Sequence, residues 1–107
     1  MKYPMTHITF DDMMAESFRN DPEYAMELLN DILEDENAEP GELLMALRQM
    51  SKAFGGVGEV AKQAQLNSKS LYRTLSAQGN PQVSTLVAVL RTMGLRLAVQ
   101  PLAARAA

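Results

Sequence analysis

The sequence predicts an all-α fold. Apolar residues recur every three or four positions in stretch after stretch from Met13 to Met93, the spacing of one buried helical face. The stretches are separated by Asp21-Pro22, Pro40-Gly41, Gly55-Gly56 and Gly79-Asn80-Pro81, residues that start, stop or turn a helix. Period-two alternation is confined to Leu95, Leu97 and Val99, so at most one short C-terminal β-strand is expected.

Residues 1–10 read as irregular or briefly extended, with Ile8 and Phe10 as anchors. His7, the one histidine, has Thr6 and Thr9 near it and no metal-ligating neighbours. A short helix follows from Asp11 to Phe18. The next restarts with Asp21 as N-cap, Pro22 in the first helical position and Glu23 where the helix dipole favours a negative charge. It turns Ala25, Leu28, Leu29, Ile32 and Leu33 inward and leaves Glu27, Asp31 and Glu34 outside. Residues 35–41 form a linker. A third helix, Glu42 to Phe54, carries Leu43, Leu47, Met50 and Phe54 as its core stripe, and Gly55-Gly56 ends it where φ can turn positive.

The stretch from Val57 to Pro81 is two short helices around a tight corner. Val57, Val60, Ala61 and Ala64 lie at i, i+3, i+4 and i+7. The first helix stops near Gln65, Leu66 plugs the corner, and Asn67 caps the second helix, 68–76, through its side-chain oxygen. That helix buries Leu71 and Leu75. A small residue at the crossing and an apolar corner fit a helix-turn-helix, whose second helix enters the DNA major groove. An ordinary helical hairpin satisfies the same spacing. A further helix, Val83 to Met93, holds Leu86, Leu90 and Met93 on one face.

The run from Leu66 to Leu97 resembles phage-repressor helix-turn-helix domains of the Xre/Cro type. More closely, it is similar to the addiction-module antidote family, the HigA-like antitoxins of bacterial type II toxin–antitoxin operons. The matching marks are Gly55-Gly56, Leu71-Tyr72-Arg73 with Leu75-Ser76, Gly79-Asn80-Pro81 and Gly94-Leu95-Arg96-Leu97. The similarity reaches upstream to Asp21-Pro22. It implies a repressor-like four-helix core fronted by an acidic helical extension. One departure is Gln65, where repressors carry glycine. Positive φ there costs a non-glycine residue roughly 1 kcal/mol.

Charge divides the chain. Residues 1–42 hold twelve acids against Lys2 and Arg19, a net of −10, and residues 43–107 hold eight bases against Glu59, a net of +7. An acidic front joined to a basic back points to two partners of opposite charge. Three segments follow: an acidic extension (1–40), a DNA-binding domain (41–101) and a tail (102–107). The absence of cysteine excludes disulfides and thiolate metal sites. No run approaches the length of a membrane span and no signal peptide is evident, so the cytoplasm is expected.

The chemistry on offer is binding. There is no histidine cluster, no phosphate-cradling glycine loop and no nucleophile triad, so neither an enzyme nor a cofactor is expected. Lys69 and Arg73, with Ser68, are placed for base edges; Asn67, Ser70, Tyr72 and Lys62 are better placed for phosphates. Tyr72 equally suits packing between helices. The resemblance implies that Glu27, Asp31 and Glu34 meet a small basic toxin of the RelE/HigB kind, while the basic half represses the shared operon. A strand at 95–99 must pair with the N-terminus or with a second copy, and the latter gives a two-fold dimer suited to palindromic operators. Two readings stay open beside the antitoxin: a prophage-type transcriptional regulator with no toxin partner, and an adaptor that keeps the fold without binding DNA.

Overall fold

A computed structural model describes residues 9–102 of the 107. They form six helices: α1 (Phe10–Asn20), α2 (Pro22–Glu34), α3 (Pro40–Ala53), α4 (Val57–Ala64), α5 (Ser68–Thr74) and α6 (Val83–Thr92). Ile8, His7 and the tail beyond Leu102 lie outside the described residues. No described helix is long and apolar enough to cross a membrane.

Several of the helix ends have a local reason. Thr9 caps α1, accepting from the Asp12 amide at 3.0 Å while the Asp12 carboxylate accepts from the Thr9 amide at 3.4 Å, a reciprocal capping box. Asp21 accepts from the Tyr24 amide at 3.2 Å and Pro22 opens α2, as the sequence predicts. Three helices close by one device, a left-handed or otherwise positive-φ residue followed by an amide that reaches five residues back. Gly55 (φ 101°) lets the Gly56 amide reach the Ser51 carbonyl at 2.7 Å, and Gly94 (φ 78°) lets Leu95 reach Leu90 at 2.9 Å. Gln65 does the same for α4, with φ 60° and the Leu66 amide on the Ala61 carbonyl at 2.8 Å. Gln65 takes this left-handed conformation although it is not a glycine, at roughly 1 kcal/mol of backbone strain.

Helix α3 is the hub. It packs on α1 and α2 on one side and on α4 on the other, and α4 carries both α5 and α6. One core runs through all of this, from Phe18, Ala25 and Leu29 through Leu44, Leu47 and Met50 to Val60, Ala61, Leu71, Leu75, Val89 and Leu90. The front is pinned to α3 by polar contacts as well. Gln49 donates to Asp11 at 3.0 Å and Lys52 pairs with Asp12 at 2.6 Å. The Lys52 hydrogen bond, helped by the Thr9 cap, holds the Asp12 carboxyl below its ordinary pKa.

Four expectations are corrected. No strand forms among the described residues: after Gly94 the chain continues without regular structure to Leu102. Alternation of period two marks an extended segment with one apolar side, and this one lies along α2 with no second strand to pair it. Phe54 is 43% exposed, because α3 ends at Ala53 and the helical spacing that placed Phe54 in the stripe no longer holds beyond it. Phe10, expected as an anchor, is exposed, since α1 buries Ala15 and Phe18 and that face excludes position 10. Leu33 is 57% exposed rather than inward; it sits on the shoulder of α2 beside the buried Leu29.

Among the described residues, one buried polar atom has no protein partner. Ser51 Oγ on α3 is fully enclosed and makes no hydrogen bond. A buried hydroxyl left unsatisfied costs on the order of 1–3 kcal/mol. Ser51→Ala is therefore expected to be neutral or to raise stability by about 1 kcal/mol in urea titration, and a loss of that size would show that the hydroxyl has a partner.

Candidate nucleic-acid and protein interfaces

The α4–α5 corner is rooted from below. Ala61 is fully buried where the two helices cross, Leu71 and Leu75 are sealed into the core, and Leu66 packs against it from the corner. Asn67 caps α5, accepting from the Ser70 amide at 2.9 Å. This commits its side-chain oxygen and leaves its amide group outward. Helix α5 ends at Thr74, two residues earlier than the spacing predicts.

The rest of α5, apart from the half-buried Thr74, faces outward. Ser68, Lys69, Ser70, Tyr72 and Arg73 are all exposed, and so is Lys62 in the last turn of α4. Lys69 and Arg73 are four residues apart and hence neighbours on one face. The two ion pairs among the described residues are Arg19–Glu16 and Lys52–Asp12, so Lys62, Lys69 and Arg73 keep their charges unpaired. Tyr72 is 59% exposed, which removes the reading in which its ring packs between helices.

The far end of α5 is held by α3. The Arg48 guanidinium donates to the Leu75 carbonyl, at the C-cap of α5, where a positive charge also favours the helix dipole. Spacing in the sequence gives no hint of this contact. Arg48→Met keeps the aliphatic stem and removes the donor; it is expected to cost about 1.5–3 kcal/mol. Amide exchange at Leu75 and Ser76 reads the fraying directly, and unchanged protection there would dismiss the role.

A second strip, also absent from the sequence reading, borders α5. Thr85 in the first turn of α6 lines a small cleft of about 70 Å³ with Leu66, Asn67, Ser70 and Thr74. Gln82 gives α6 no side-chain cap, so its first amides stay open beside that strip.

Of the twelve acids in residues 1–42, six are spent on the fold. Asp11, Asp12 and Glu16 hold Gln49, Lys52 and Arg19; Asp21, Asp35 and Glu42 hold backbone amides. Glu27, Asp31 and Glu34 are exposed and have no such partner among the described residues. At i, i+4 and i+7 they form one unrelieved negative stripe along α2.

A family profile described as "Probable addiction module antidote protein" matches residues 8–101, nearly the whole chain. The protein belongs to this family. An uncharacterized protein of Haemophilus influenzae is similar, 31% identical over 96 residues that make up 90% of this chain and 95% of that one. No solved structure matches the chain. The antidote family match spans α1 to α6 and the segment beyond. The stripe on α2 and the exposed bases of α5 therefore lie within one family unit.

Proposed function

We propose that this antidote is the antitoxin of a type II toxin–antitoxin pair, and that it binds two partners through its two charged faces. The α4–α5 pair is a helix-turn-helix within a repressor-like core of α3 to α6. Helix α5 is its recognition helix: Lys69 and Arg73, with Ser68, address base edges, while Lys62, Asn67, Ser70 and Tyr72 address phosphates. The stripe of Glu27, Asp31 and Glu34 captures a small basic toxin of the RelE/HigB kind. Operator binding then represses the operon that encodes both proteins, in the cytoplasm, with the antitoxin acting as a homodimer on a palindromic site. No catalysis or cofactor enters this reading.

The observation that carries the proposal is the segregation of unpaired charge. Lys62, Lys69 and Arg73 on α4 and α5, and Glu27, Asp31 and Glu34 on α2, are exposed charges without an ion pair among the described residues, bases on one face and acids on the other. The division of labour runs from an acidic extension (1–40) to a DNA-binding region (41–101) and a tail (102–107). It is a division of function only, since one hydrophobic core crosses residue 40.

Titrating the protein against DNA from immediately upstream of its gene, beside a scrambled duplex, tests the DNA half. Preference for the native duplex, with affinity that falls as salt rises, is the expected result. Equal weak binding to both would remove the recognition role from α5. For the toxin half, reversing the charges of Glu27, Asp31 and Glu34 together is expected to weaken toxin capture about ten-fold or more and flatten its salt dependence. Operator affinity should not move. A pull-down with no loss would take the stripe out of the interface.

A further inference from the structure

The stripe on α2 does not stand alone. Between α2 and the segment 94–101 runs an open trough of about 650 Å³, bordered by Met26, Leu33 and Glu34 on one side and by Arg96 and Leu97 on the other. It adjoins a recess of about 40 Å³ lined by seven leucines and nothing else, among them Leu33, Leu97 and the buried Leu29 and Leu90. Leu33 and Leu97 are nonetheless 57% and 39% exposed. Two leucines at the mouth of an all-leucine recess, both exposed, leave apolar surface that the described residues do not cover.

Helical geometry sets the near edge of the stripe beside the trough: Glu34 lines it, while Glu27 and Asp31 lie further round α2. At 100° per residue, the buried Ala25 and Leu29 fix the inner face of α2. Met26 and Leu33 fall together on the next shoulder, seven residues apart, or about 10 Å along the axis. Asn30, Glu34, Glu27 and Asp31 follow in turn around the helix. An apolar shoulder edged by an unpaired acidic stripe complements one kind of surface: an amphipathic segment with bulky apolar side chains on one side and lysine or arginine beside them.

We infer that this trough is the docking site of the toxin, which inserts a large apolar side chain between Leu33 and Leu97 while its basic residues lie along Glu27, Asp31 and Glu34. The inference rests on the toxin reading above and adds what that reading lacks, an apolar anchor. Charge on an exposed stripe steers the encounter and is screened by salt. The buried anchor holds the complex.

The test uses full-length chain and the basic protein translated from the reading frame adjoining its gene, with affinity measured at about 0.1 M and 1 M salt, where the Debye length falls from about 10 Å to 3 Å. Leu33→Ser and Leu97→Ser are each expected to weaken capture about thirty-fold at both salt concentrations, the loss of a central anchor. Val99→Ser, at a residue that is 98% exposed and outside the trough, should leave it unchanged, and circular dichroism confirms that each variant is folded. Full retention of binding by both leucine variants, with loss in the charge-reversed stripe, would overturn the apolar anchor and leave the toxin reading intact. If the wild-type chain captures nothing, the toxin reading itself fails and takes the anchor with it. If the leucine variants change only the oligomeric state of the chain, the trough is a contact between copies and the inference is wrong.

Discussion

Gly79→Ala is expected to cost on the order of 3–5 kcal/mol, at the extreme of what a single substitution does. The reason is contact and not conformational freedom. A Cβ at position 79 would stand 1.7 Å from the Thr74 carbonyl oxygen, 2.4 Å from its carbon and 3.0 Å from the Arg73 oxygen. Those atoms are backbone, the last turn of α5, and cannot rotate away as a side chain would. Either the turn from Ser76 to Gly79, closed by the Gly79 amide on the Ser76 carbonyl at 2.9 Å, opens, or α5 shifts off Leu71 and Leu75. For a domain of this size each kcal/mol lowers the melting temperature by roughly 4–8 °C, so thermal unfolding should show a fall well above 10 °C. Gly58→Ala is the matched control. A Cβ there meets nothing within 4 Å inside α4, and alanine should gain up to about 1 kcal/mol. Equal melting temperatures for the two variants would contradict the packing of this turn against α5.

The order of the helices was legible in the sequence because each one carries its own punctuation. Asp21-Pro22, Asn67 and Gly55-Gly56 act within a few residues of themselves, and their hydrogen bonds form as local rules require. Burial was legible where one helix packs on one partner, as with Leu71 and Leu75. It was misread at the margins. Phe54 sits one residue past the end of its helix, and Leu33 lies on a shoulder whose cover depends on a segment more than sixty residues away. Periodicity reports a helix's inner face and cannot report how far a neighbour extends over it.

The C-terminal segment illustrates the same limit. Leu95, Leu97 and Val99 alternate as a strand does, yet a strand is a pairing and the partner is not written in its own residues. Here Leu95 and Leu97 lie toward α2 while Val99 projects into solvent. The contacts of Arg48 with α5 and of Asp11 and Asp12 with α3 escaped for a different reason. Each joins positions 27 to 40 residues apart, and nothing in either local pattern marks them. Their consequence for the candidate interfaces is large: they separate acids that serve the fold from acids left free, a distinction that net charge alone conceals.

Arg73→Ala is expected to lower operator affinity about ten- to a hundred-fold, the range of one good bidentate base contact, without changing the melting temperature. The side chain is exposed and makes no ion pair among the described residues, so its removal leaves the fold intact and any loss belongs to the interface. The variant also separates the two roles assigned to the bases of this face. If Arg73 reads a base edge, its loss should shrink the preference for the native over the scrambled duplex. Arg73→Lys should recover little of that preference, because an ammonium cannot reproduce the planar fork. Lys62→Ala, at a residue assigned to phosphate, should weaken both duplexes alike and reduce the slope of log affinity against log salt by about 1. The reverse pattern would exchange the roles of α4 and α5, making α4 the reading helix. Loss of neither would leave α5 a solvent-facing helix on an antidote that regulates through its toxin partner alone.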